Sequence, residues 1–259
     1  MTDQLSVTGF ERRERLLQFV EDRRRVSIAQ ICAVFGVSPA TARRDLEALA
    51  EAGQVRRVHG GALALKSAPP EPPVALRTSA QADEKRRIGR AAAELIEDGD
   101  TIFLSSGTTV IEVARSLRGH SNLTVVTNSL LVMNALADVP TITIIGLGGM
   151  LRSTELSFIG HLTEQALSDL RVQKVVMGVR GVDLQTGITN DYLPETQTDR
   201  AILSICREVI LVADHTKCER VSSVFLAPIS VVDTLVTDSK TPEAFVSALT
   251  EQGIRVICA

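Results

Sequence analysis

The residues best suited to chemistry fall in short polar clusters that follow apolar runs. Ser105-Ser106-Gly107-Thr108-Thr109 follows the run Thr101–Leu104. A glycine lets the backbone approach a ligand closely, and hydroxyls with free N–H groups at a helix start can surround an anion. This is the chemistry of a phosphate cradle, although the same residues also make an ordinary helix N-cap. The cluster is neither a Walker loop, having no Gly-Lys-Ser/Thr, nor a GxGxxG fingerprint. Gly146-Leu147-Gly148-Gly149 suits a tight turn, with or without a ligand against it. Gly178-Val179-Arg180-Gly181-Val182-Asp183 offers a guanidinium and a carboxylate near one rim. Asp214-His215-Thr216-Lys217 offers a lysine able to pair with a phosphate or a sugar oxygen, or to stand exposed on the surface.

A second constellation lies near the N-terminus. Ser38-Pro39-Ala40-Thr41-Ala42-Arg43-Arg44 places small side chains before a basic pair. Short residues at a helix start permit close approach to a DNA groove, where arginine grips guanine bidentately. Arg56, Arg57 and His59 follow on a segment that alternates toward a short hairpin, suited to backbone phosphates. Ser27, Ser38, Ala40, Thr41, Arg43, Arg44, Arg56, Arg57 and His59 are the expected DNA-contacting set. A solvated basic face is the plainer reading of the same arginines. It loses ground because a capped helix, a turn glycine and a basic hairpin occur together.

These clusters need elements to hold them. Residues 11–22 carry Leu16, Leu17 and Val20 among charges, the pattern of an amphipathic helix. Ser27 caps a second helix with Ile28, Ile31, Cys32 and Phe35 inward, which Gly36 ends. Ser38 caps a third, with Pro39 at its first position and Ala42, Leu46 and Leu49 at core spacing; Gly53 stops it. Two helices around a glycine-bearing turn make a helix-turn-helix. Residues 67–76 hold four of the nine prolines and predict an extended spacer. Beyond it, strand-like runs at 101–104, 122–127, 141–147, 174–178, 209–213, 234–237 and 255–258 alternate with helical stretches, including 82–96, 108–117, 161–170 and 197–206. That alternation predicts a mostly parallel sheet covered on both faces, with ligands outside the carboxyl ends of its strands.

Composition is consistent with this division. The 259 residues carry a net charge of −3, but residues 1–66 hold 11 Lys/Arg against 8 Asp/Glu, leaving the acidic excess on the remainder. A basic module on an acidic body fits a nucleic-acid contact confined to one end. Aromatic residues make up 3%, with no Trp, against a single-strand binder built on stacked bases. Cys32, Cys206, Cys218 and Cys258 form no CxxC pair, and His215 with Cys218 has no second pair to complete a metal site. Free thiols, no cofactor and no metal are expected. No apolar run reaches membrane-spanning length, and residues 1–10 lack the pattern of a signal peptide, so cytoplasmic residence is expected.

The stretch from Glu11 to Ala62, above all VSPATARRDL (37–46) and RRVHGGA (56–62), resembles the winged helix of DeoR-type bacterial transcription regulators. EKRRIGRAAAELIEDGDTIFLSSGTT (84–109), TVVTNS (124–129), GLGGMLR (146–152), GVRGVD (178–183) and LVADHTK (211–217) resemble the sensor domain of that family, itself similar to ribose 5-phosphate isomerase and glucosamine 6-phosphate deaminase. The resemblance implies an α/β chain: a winged helix-turn-helix (1–66), a Pro-rich linker (67–76) and a Rossmann-like sensor of phosphorylated sugars (77–259). It implies that Ser105, Ser106, Gly107, Thr108 and Thr109 hold the phosphate, with Gly148, Gly149, Arg180, Asp183 and Lys217 around the sugar. It also implies a double-stranded DNA operator, repression of a carbohydrate catabolic operon, and a homo-oligomer, dimer or tetramer. Two departures stand out. Ser105 replaces the family's usual aspartate, and the isomerase carboxylates are missing at Arg180 and Gly181, leaving Asp183. The expected pocket binds without turnover; the alternative is a sugar-phosphate isomerase or deaminase with an accessory DNA-binding module.

Overall fold

The computed structural model describes residues 9–23, 25–51, 55–58, 60–64, 66–67 and 72–259. The chain divides between Ser67 and Ala68 into two compact units.

In the first unit, α1 (Gly9–Arg23), α2 (Ile28–Phe35) and α3 (Pro39–Glu51) precede a hairpin of β2 (Val55–Val58) and β3 (Gly61–Ala64). Leu16, Val20, Ile31, Ala42, Leu46 and Leu49 form the core from the three helices, closed by Val55 and Ala62. Buried Asp45 on α3 takes a two-pronged hydrogen bond from Arg12 on α1, at 2.7 and 3.1 Å. Ser27 and Gln30 make a reciprocal capping box on α2. Such a box satisfies two donors that the first turn otherwise leaves unbonded. The expected stop of α3 at Gly53 lies outside the described residues.

A further strand not foreseen from the sequence, β1 (Arg25–Ser27), pairs antiparallel with β3 to give the order β1-β3-β2. The strand exists because β3 offers it a bare backbone. A Cβ on Gly61 would lie 2.0 Å from the Val26 carbonyl oxygen.

The second unit is built on seven parallel strands: β4 (Thr101–Leu104), β5 (Leu123–Thr127), β6 (Ile142–Gly146), β7 (Val172–Gly178), β8 (Cys206–Val212), β9 (Thr234–Thr237) and β10 (Arg255–Cys258). Their order is β10-β9-β8-β7-β4-β5-β6. Each strand alternates between two apolar layers. Phe103, Val175, Met177, Leu211 and Leu235 face one layer. Ile102, Leu104, Val176, Ile210 and Val236 face the other. On the second side lie helices at Ala82–Ala93, Thr108–Ser116 and Leu130–Leu136; on the first lie those at His161–Ser168, Leu193–Ser204 and Glu243–Glu251. Burial of both faces explains why the five inner strands read as near-continuous apolar runs.

Chain progression reverses between β4 and β7, which are neighbours (Lys174↔Ile102, Val175↔Phe103, Val176↔Leu104). This is the topological switch point, where the loops after two adjacent strands diverge and leave a crevice. Two additions were not foreseen: an antiparallel sheet of Gly181–Asp183, Gly187–Asn190 and Val224–Ala227, and a hairpin of Met150–Arg152 with Ser157–Ile159.

The expected extended spacer is also corrected. Of residues 67–76, those at 68–71 lie outside the described residues, but Val74–Arg77 form a helical turn preceded by Pro73. Proline forbids helix interior, yet it costs nothing at a helix start, where the N–H has no partner. Among the described residues, no helix is long and apolar enough to cross a membrane.

Candidate functional site

In the first unit, α3 carries the expected basic pair: Arg43 and Arg44 are exposed, as are Ser38 and Ala40. Ser38 Oγ accepts the Thr41 N–H at 3.2 Å and shares a 2.9 Å hydrogen bond with Thr41 Oγ1. Both hydroxyls therefore serve the helix start, and Ser27 likewise serves α2. Arg57 on β2 forms a surface ion pair with Glu47 on α3 at 3.0 Å. Arg56 lies on β2, and His59 falls outside the described residues. The hairpin is thus a wing beside the helix that follows the turn, in the arrangement by which such modules enter a major groove.

The second unit holds a pocket of about 270 Å³ at the switch point. Ser105, Ser106, Gly107, Thr108 and Thr109 line it from the end of β4 and the start of the following helix. Ser105 ties the two strand ends together: its N–H donates to Val176 O at 3.1 Å, and its Oγ accepts from Gly178 N at 3.3 Å. Gly107 precedes the helix with no side-chain cap on the first turn. Those N–H groups carry the positive end of the helix dipole. Arg180 and Lys217 line the same pocket, so seven of the ten residues expected to bind the ligand come together.

The other three do not. Gly148 and Gly149 serve the packing of the helix at His161–Ser168: Thr163 Oγ1 donates to Gly148 O at 2.8 Å. Gly149 has φ +149°, and a Cβ there would lie 2.2 Å from that hydroxyl. Asp183 is buried, but its Oδ1 accepts the N–H groups of Gln185 and Thr186, at 3.0 and 2.8 Å, and so shapes the turn after its strand. A carboxylate next to turn residues most often serves its own backbone.

Sequence reasoning missed an equally large set of charged residues in the pocket. Glu155 lies at the tip of the unforeseen hairpin, between Arg77 at 2.5 Å and Arg180 at 2.7 Å. Glu195 pairs with Arg152 and accepts from Ser157 Oγ at 3.0 Å. Asp199 accepts from Asn190 at 2.7 Å, and Arg180 approaches Asp191 at 3.6 Å. Lys85 donates to the carbonyls of Arg77 (2.9 Å) and Ala80 (2.5 Å). One signal was available: Thr189-Asn190-Asp191 is a run of three polar residues after Ile188. The others lie on helices and hairpins whose direction the sequence does not give.

Burial dominates the electrostatics here. It pushes Glu155 up to about 7, against the opposing guanidiniums of Arg77 and Arg152 and with Glu195 adding to the shift. Asp199 is raised well above the ordinary carboxylate range by burial and by Glu195. Lys217 is pushed down to about 8 by burial; Asp214 opposes the shift, while Arg180, Arg77 and Arg220 reinforce it. Lys85 is lowered for the same first reason. A buried cation held among other cations gains when an anion arrives. The arrangement is therefore suited to taking a phosphate monoester out of water.

Residues 80–239 match the family model described as "DeoR C terminal sensor domain", and residues 12–68 match "DeoR-like helix-turn-helix domain". The glycerol-3-phosphate regulon repressor of Escherichia coli (strain K12) is 38% identical over 95% of this chain and 97% of its own length. The HTH-type transcriptional repressor GlcR of Bacillus subtilis (strain 168) is 33% identical over 95% of each chain. Among solved structures, the ribose 5-phosphate isomerase A of Methanocaldococcus jannaschii aligns with 54% of this chain and 55% of its own, at 16% identity and a TM-score of 0.40.

Proposed function

From the premise that the chain belongs to the DeoR family, we propose that it represses a carbohydrate catabolic operon in the cytoplasm and is modulated by a phosphorylated sugar or related metabolite. The observation that carries this reading is the pocket at the switch point, where Ser105–Thr109 face Arg180 and Lys217 within about 270 Å³. The regulon and repressor names of its relatives support the same reading.

Arg43 and Arg44 read base edges from α3, while Arg56, Arg57 and His59 meet phosphates from the wing and fix register. The N–H groups of the first turn after Gly107, with the hydroxyls of Thr108 and Thr109, hold the phosphate of the ligand. Lys217 and Arg180 balance its charge, and Asn190 and Asp191 offer hydrogen bonds to sugar hydroxyls. The protein acts as a homo-oligomer, because paired half-sites multiply the weak affinity of a single module.

The site binds without turning over. Isomerisation needs a carboxylate placed as a general base. Asp183, the acid the sequence retained for that task, is committed to two backbone N–H groups outside the pocket, and Glu155 is held between two arginines. The pocket's other carboxylates are engaged as well: Glu195 by Arg152 and Ser157, Asp199 by Asn190, Asp191 by Arg180, and Asp214 by the Thr216 N–H.

A mobility shift on the DNA upstream of the protein's own gene, with sugar phosphates added, tests this. Sequence-specific binding released by one phosphate ester is the expected result. Absence of specific binding together with turnover of any sugar phosphate would establish the isomerase or deaminase reading instead.

A further inference from the structure

Three features of the pocket converge on one stretch of chain. First, Pro72, Leu76, Arg77 and Ala80 form part of its wall. Second, this wall is attached to the hairpin tip by two bonds: Val74 N–H donates to Thr154 O at 2.8 Å, and Arg77 Nη2 to Glu155 Oε2 at 2.5 Å. Third, the other oxygen of Glu155 takes Arg180 Nη2 at 2.7 Å. One buried carboxylate therefore bridges an arginine of the proposed ligand site and the arginine that anchors the wall. Arg77 also donates from Nε to Pro72 O at 2.7 Å, so its guanidinium fixes the start of the segment as well as its end.

Two guanidiniums converging on the two oxygens of one carboxylate can equally hold the oxygens of a phosphate by charge-assisted hydrogen bonds. Glu155 thus provides the charge an anionic ligand would bring. A phosphate ester held at Ser105–Thr109 competes with it for Arg180 and Arg77, and the loser of that competition is the attachment of the wall.

We propose that Glu155 is an internal competitor of the ligand: displacing it from Arg77 and Arg180 frees the segment Pro72–Ala80 from the hairpin tip. This rests on the ligand-binding reading above and adds to it a mechanism of regulation. Ligand binding is registered on the stretch of chain that follows the DNA-binding unit, with no need for a change in the sheet. Because the carboxylate opposes the ligand, removing its charge strengthens binding. A carboxylate that merely supported the pocket would do the opposite when removed.

The experiment is hydrogen exchange on the full chain, followed by peptides covering 72–80 and 105–112, with inorganic phosphate and then glycerol 3-phosphate as probes. Protection at 105–112 with faster exchange at 72–80 is expected. Protection at 105–112 with unchanged or slower exchange at 72–80 overturns this inference and leaves the ligand site standing. No protection at 105–112 with either probe overturns both. Glu155→Gln is expected to bind glycerol 3-phosphate about tenfold more tightly by calorimetry, and to exchange rapidly at 72–80 without ligand. Weaker binding with unchanged exchange overturns the inference. Should Glu155→Gln not fold, Arg77→Gln tests the same link from the other side: exchange at 72–80 becomes fast and insensitive to phosphate. Sensitivity equal to that of the parent protein overturns it.

Discussion

The two units use arginine in opposite ways. On α3, Arg43 and Arg44 stand exposed, and Arg57 meets Glu47 at the surface. In the pocket, Arg77 and Arg180 are each 9% exposed and share buried Glu155. On the proposed function, the difference follows from what each unit has to bind. A DNA duplex is an extended polyanion that stays hydrated, so exposed cations suffice and salt controls the affinity. A small phosphate ester must be enclosed, and enclosed cations are costly unless carboxylates neutralise them until the ligand arrives. The first unit can therefore leave its site empty at no cost, whereas the second must fill its own.

The first unit is not uniformly exposed, and the largest expected effect falls on its exception. Arg12→Ala leaves buried Asp45 without its partner and is expected to destabilise that unit by about 3 kcal/mol in urea unfolding. Arg57→Ala, by contrast, is expected to stay under about 1 kcal/mol, because an exposed pair gains little over water. Equal losses would break the distinction between the two kinds of pair.

Next in size, Lys217→Ala is expected to weaken phosphate-ester binding by about 2–3 kcal/mol while leaving operator affinity unchanged, read by calorimetry and mobility shift. Survival of ligand release would return Lys217 to an ordinary rim position. Arg43→Ala is expected to cost about 1–3 kcal/mol in operator binding and to relax base preference at one position. An unaltered shift would remove Arg43 from the reading face.

A smaller effect sharpens the comparison through protons. Lys217 is pushed from its ordinary 10.5 down to about 8, so the folded unit binds that proton less tightly than the unfolded chain does. The stabilising contribution is complete above 10.5 and is lost as pH falls through 8. A bound phosphate raises the lysine again. Binding near pH 8.5 is therefore expected to take up a proton, measurable by calorimetry in buffers of differing ionisation enthalpy, and Lys217→Met is expected to abolish that uptake. DNA binding by the first unit should show no such term from this lysine.

The legibility of the two units also differs. The helix-turn-helix was readable because its signals are local: Ser27 and Ser38 at helix starts, Gly36 at a helix end, and Ala42, Leu46 and Leu49 on one face. The five inner strands of the main sheet were readable because burial on both faces makes each an apolar run; the edge strands β6 and β10 are largely exposed or half-buried and were legible from their apolar residue types alone. Three strands, β4, β9 and β10, fall where the pattern placed them, 101–104, 234–237 and 255–258. β1 was not readable, since its only evidence is the bare backbone of Gly61 across the sheet.

The sequence by itself determined the three helices of the first unit, the main strands of the second and the polar clusters at their ends, because periodicity, capping and turn chemistry act over a few residues. The tertiary structure alone decided which clusters share a pocket. Gly149 and Asp183 carry the same local signals as Gly107 and Arg180, yet packing against Thr163 and a turn at Gln185 take them elsewhere. It also decided that Glu155, 78 residues from Arg77, lies 2.5 Å from it. Charges that far apart in the chain meet only through the order of the strands and the path of one hairpin, and neither is written in local spacing.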